Sequence, residues 1–121
     1  MFKNFILVGI GGGLGAMLRY MVYLMFKDNS FPYATLLINI AGSLVIGMVV
    51  GYSLKEISFS QPLKLFIAVG ICGGFTTFSA FSLENIQLLQ SGKYTGVFLY
   101  VTISVLAGIA AAWLGIKLLN S

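Results

Sequence analysis

Four runs of about twenty apolar residues, parted by short polar breaks, constrain most of what this 121-residue chain can become. A helix needs about 20 apolar residues to cross the hydrocarbon core of a bilayer. The first run is read as a helix over residues 5–26 and stops at "KDNSFP". The second covers 33–54 and is followed by "KEISFSQP", where Ser60 can cap the next helix and Pro62 falls in its first turn. The third covers 63–90 and ends at "SGKYT"; the fourth covers 96–119. The pattern predicts an all-α integral membrane protein, a single four-helix domain over 1–121, whose short loops make consecutive helices antiparallel.

Composition closes the alternatives. Hydrophobic residues make up 59% of the chain and charged residues 8%, where a soluble domain carries about 25% charged. Lys3 before an apolar stretch resembles a signal peptide. But the stretch runs past Met25 without a small-x-small cleavage site, so a retained helix is expected. The seven basic residues are scattered singly. They suit anchoring to membrane lipid headgroups and form no patch for nucleic acid. With one cysteine, Cys72, and no histidine, neither an internal disulfide nor a Cys/His metal site can form. No nucleophile–base pair is available, and the three acids fall near membrane edges, so no enzyme is expected.

Charge also bears on orientation. One face would carry Lys3, Lys55, Lys64 and Lys117, the other Arg19, Lys27 and Lys93. So small a bias permits insertion both ways up. Two oppositely oriented copies can then pair about an axis in the membrane plane, giving an antiparallel, dual-topology homodimer.

Gly11, Gly13 and Ala16 fit a dinucleotide-binding G-x-G-x-x-A turn. That turn needs a parallel sheet and an acid about 20 positions on; Asp28 comes too early and no sheet fits. Helix packing is the better reading: Gly9/Gly13, Gly11/Gly15 and Gly12/Ala16 are four apart, and Gly42, Gly47 and Gly51 serve the second helix similarly. Thr35, Asn39 and Ser43 share a face of the second helix, and Tyr100, Ser104 and Gly108 a face of the fourth. Asn39 either bonds between helices or aims an amide N–H into a polar pathway.

The third run holds "GICGGFTTFSAFSLE". Gly73–Gly74 and Thr76–Thr77 are poor helix formers, so an interrupted helix is expected there. Interrupted membrane helices mark ion or substrate sites, because freed backbone groups can coordinate charge. Phe78 and Phe81 share a face just beyond. An aromatic ring has a positive edge that can meet an anion. Glu84 lies about 11 Å along the axis from the segment's midpoint, near the hydrocarbon edge.

With "GGLGAMLRY" and "TLLINIAGSLVIG", that stretch makes the chain resemble the Fluc-type (CrcB) fluoride channels over nearly its whole length. The resemblance implies a passive, fluoride-selective channel in the cell inner membrane, an antiparallel homodimer with two pores. It implies a structural sodium ion at the dimer centre, held by the backbone carbonyls of Gly73 and Thr76. It places Asn39, Phe78, Phe81, Tyr100 and Ser104 along the fluoride pore and Arg19 at an aqueous vestibule. Some relatives carry a further hydroxyl where this chain has Gly108. The rival reading is a small proton-coupled multidrug-type exporter, which depends on a carboxylate in its first helix; here that helix holds Arg19 and no acid.

Overall fold

A computed structural model describes residues 1–27 and 31–120. Asp28, Asn29 and Ser30 of the first polar break lie outside the described residues, as does Ser121. Helix α1 is Phe2–Met25 and α2 is Tyr33–Lys55. The third run starts as α-helix at Gln61–Lys64, widens to a π-helix over Leu65–Cys72, and returns to α-helix at Gly73–Phe75; together these form α3. Helix α4 is Phe78–Gln90 and α5 is Tyr94–Asn120. The described residues thus hold four apolar helical segments long enough to cross a membrane.

Local chemistry sets the ends. Ser60 Oγ accepts from the Leu63 N–H at 3.4 Å, with Pro62 in the first turn, so α3 starts two residues earlier than the apolar run. At the end of α4, Lys93 N donates to Leu88 O and Gly92 N to Leu89 O. This is the Schellman closure, and it needs the left-handed conformation that Gly92 adopts at φ +74. The turn is so short that Val97 N already bonds Lys93 O, which carries the start of α5 back to Tyr94.

The dominant packing joins alternate helices rather than consecutive ones. A Cβ on Gly47 would strike the Ala112 carbonyl, one on Gly51 the Ile116 carbonyl, and one on Gly115 the Leu44 carbonyl. Partners advance together in steps of four, so α2 and α5 run parallel with their backbones touching. Likewise Gly11 meets Phe66 and Gly70, and Gly15 meets Ile71 and Gly74, which sets α1 parallel to α3. Lipid tails are as apolar as leucine, so close dispersion contact between small residues drives this association. Gly9 and Gly13, expected to pack as well, have nothing within 4 Å. The tightest core lies between α2 and the start of α5, where Thr35, Ile38 and Tyr100 are fully buried.

Candidate functional site

Helical geometry lapses at Thr76 (φ −81, ψ 156) and Thr77 (φ −151, ψ 124), between α3 and α4. Freed backbone groups inside a bilayer must find partners, and here side chains supply them. Thr76 Oγ1 and the Thr76 N–H both donate to Cys72 O, at 2.8 and 3.0 Å, closing α3. Thr77 Oγ1 accepts from Ala80 N at 3.1 Å and caps α4. From α2, Asn39 Oδ1 accepts the Thr77 N–H at 2.9 Å while Asn39 Nδ2 donates to Thr77 O at 3.1 Å. The backbone's fixed donor and acceptor thereby fix which way the amide points. From α1, Arg19 Nε donates to Gly74 O at 3.1 Å. No hydrogen bond reaches the carbonyl oxygens of Gly73 or Thr76 among the described residues.

Beside this segment lies a cavity of about 420 Å³ walled by α2, α3, α4 and α5. Asn39, Phe78, Phe81 and Ser104 line it together, as do Gly73 and Thr76. The Phe78 and Phe81 ring centroids are 5.7 Å apart at 41°. Phe78 is 77% exposed, so within one chain its ring packs on little else. Ser104 Oγ is buried with no hydrogen-bond partner. One Nδ2–H of Asn39 also remains beyond the one given to Thr77. Among the described residues, the cavity wall thus carries side chains that can donate hydrogen bonds and two aromatic rings, and no carboxylate.

Tyr100 sits apart from this group. Its ring contacts Phe81 at 4.9 Å, but its hydroxyl donates to Glu84 Oε1 at 2.7 Å. Thr35 Oγ1 donates to Glu84 Oε2 at 2.9 Å, and so accepts from the Tyr23 hydroxyl at 3.1 Å. A relay of Tyr23, Thr35, Glu84 and Tyr100 therefore links α1, α2, α4 and α5. Sequence reasoning placed Glu84 at the membrane edge and gave it no partner. Thr35 and Tyr100 each lay on a recognised polar stripe, but no periodicity ties either to a carboxylate on a third helix.

Residues 6–116 match the family described as CrcB-like protein, Camphor Resistance (CrcB). The chain belongs to the CrcB family. Among its CrcB relatives is a protein named Fluoride-specific ion channel FluC from Flavobacterium psychrophilum, 49% identical over 117 residues and 94% of each chain. The protein of that name from Azobacteroides pseudotrichonymphae is 47% identical over 95% of this chain and 94% of its own. Fluoride-specific ion channel FluC 1 from Listeria innocua is 41% identical over 98% of each. Four long apolar helices and relatives named as ion channels make this CrcB chain a multi-pass membrane protein, of a family of transporters rather than enzymes.

Proposed function

We propose that this chain is a passive fluoride channel of the cell inner membrane, working as an antiparallel homodimer with two pores. The observation that carries the reading is the cavity itself. Asn39, Ser104, Phe78 and Phe81 line it together beside an interruption of the third helix, and the Ser104 hydroxyl has no hydrogen-bond partner of its own. Dehydrating a carboxylate-sized ion costs on the order of 20 kcal/mol in the Born limit, and fluoride, being smaller, costs more. One hydrogen bond to a charged group returns about 1.5–3 kcal/mol net. No single residue offsets that cost, so a file of donors and ring edges is the appropriate device. Arg19, tied to Gly74 O, is not among the residues lining the cavity, so its guanidinium does not bind the anion there.

The proton-coupled exporter needs an acid in its first helix, and α1 has none. Glu84 accepts hydrogen bonds from Tyr100 and Thr35 and does not line the cavity. Relatives named as fluoride-specific channels support the same choice. Fluoride efflux from liposomes holding the purified protein tests it. Fluoride should leave quickly while chloride stays; equal release of both, or of neither, would end the reading.

The dimer proposal draws on the nearly balanced lysines and arginine, on the exposed Phe78, and on the open surfaces at Gly9, Gly13 and Gly73. A second copy can cover these. Sodium suits the same place. The Gly73 and Thr76 carbonyls take no hydrogen bond among the described residues, and a sodium ion shared by two chains would be held by such oxygens, adding a fixed positive charge between the subunits. Replacing sodium by a bulky organic cation should lower fluoride flux or split the dimer; unchanged flux and assembly would remove the ion from the account.

A further inference from the structure

Gly108 interrupts the polar stripe of α5 one turn beyond Ser104, since it has no side chain to offer and its backbone N–H belongs to the helix. The neighbouring helix occupies that level. In the parallel register of α2 and α5, Ser43 faces Gly108, and Ser43 Oγ lies 3.7 Å from the position a Cβ on Gly108 would take. Ser43 lines the same cavity as Asn39 and Ser104. Its hydroxyl makes no hydrogen bond among the described residues, unlike that of Ser53 on the same helix, which bonds back to Val50 O. Asn39 and Ser43 are one turn apart on one face, as are Ser104 and Gly108.

We infer that Ser43 supplies the donor that Gly108 lacks, so that the far end of the anion track crosses from α5 to α2. The inference rests on the fluoride-channel reading. An unsolvated anion passing Ser104 meets its next hydroxyl about one helical turn on, roughly 5–6 Å. At that level the hydroxyl belongs to α2. Because the missing Cβ of Gly108 and the Ser43 hydroxyl occupy neighbouring space, a hydroxyl mounted on either helix can reach the same part of the cavity.

The test moves the hydroxyl between helices. Fluoride efflux is measured for the wild type, Ser43→Ala, and Ser43→Ala combined with either Gly108→Ser or Gly108→Ala. Size-exclusion profiles and melting temperatures check each variant's folding. Ser43→Ala should slow fluoride about tenfold or more, the loss expected for one hydrogen bond to a charge. Gly108→Ser in that background should restore most of the rate. Gly108→Ala, with the same Cβ and no hydroxyl, should not. Wild-type flux in a folded Ser43→Ala protein would overturn the inference while leaving the channel reading intact. Equal rescue by alanine and serine would also overturn it, by reducing Ser43 to packing. A wild-type protein that passes no fluoride would fail the channel reading, and the inference would fall with it.

Discussion

Asn39→Asp should cut fluoride flux by roughly ten- to a hundredfold, the equivalent of about 1.5–3 kcal/mol for one lost hydrogen bond to a charged group. The effect comes through two routes that act together. Asparagine meets the Thr77 backbone with one acceptor and one donor, and keeps a further N–H beyond that pair. An ionised aspartate can only accept. It would still take the Thr77 N–H, but would turn a second negative oxygen on Thr77 O and offer the cavity no donor. Like charge would also repel the anion. A protonated aspartate keeps one O–H, so flux in the variant should recover partly as the pH falls through the carboxylate's titration. Fluoride-electrode traces across pH check this. An Asn39→Asp protein that folds, assembles and conducts at the wild-type rate would show that the amide only braces the helix interruption.

The phenylalanines are the second test, and the structure makes them unequal. Phe81 packs its ring on Tyr100 at 4.9 Å, whereas Phe78 is 77% exposed within the chain. Phe81→Ile therefore removes two aromatic contacts, with Tyr100 and with Phe78, each worth about 0.5–1.5 kcal/mol, along with any contact to the ion. Phe78→Ile loses only the ring contact with Phe81 inside the chain, so a slowed rate there speaks more directly to the pathway once dimer formation is verified. Volume is nearly conserved in both, which limits core damage. Flux should fall about tenfold or more in at least one variant, matching about 1.4 kcal/mol. Melting temperature should drop more for Phe81→Ile than for Phe78→Ile. Full flux in both variants would make the pair simple packing.

The four membrane segments were legible because burial in lipid writes itself as long apolar runs. The cap at Ser60 was legible because capping is local, whereas Gly73–Gly74, expected to interrupt the helix with Thr76–Thr77, stay helical and the helical dihedrals lapse only at the two threonines. Packing partners were less so. Glycines four apart show that a helix can be approached closely, but not by what. Gly11 and Gly15 received α3, while the equally spaced Gly9 and Gly13 face open space in the chain. The largest contacts are parallel, between alternate helices, and no loop length announces that. Asn39 was readable as interhelical bond or pathway donor. In the fold it bonds the Thr77 backbone and stands on the cavity wall. The acceptor role of Glu84 toward Thr35 and Tyr100 was hidden, because it arises only when α2, α4 and α5 converge. The π-helical stretch Leu65–Cys72 was not signalled either, and nothing in its residues explains it.

The central claim is passive, fluoride-selective conduction, and one electrical measurement bears on it most directly. Purified protein in a planar bilayer is given a tenfold fluoride gradient, equal chloride, and then an opposing pH gradient. A fluoride channel should show a current reversing near the fluoride equilibrium potential, about 59 mV for a singly charged ion. That potential should not move when the pH gradient is imposed. A reversal potential that follows the proton gradient, or one that collapses toward zero as chloride carries the current, would contradict the account.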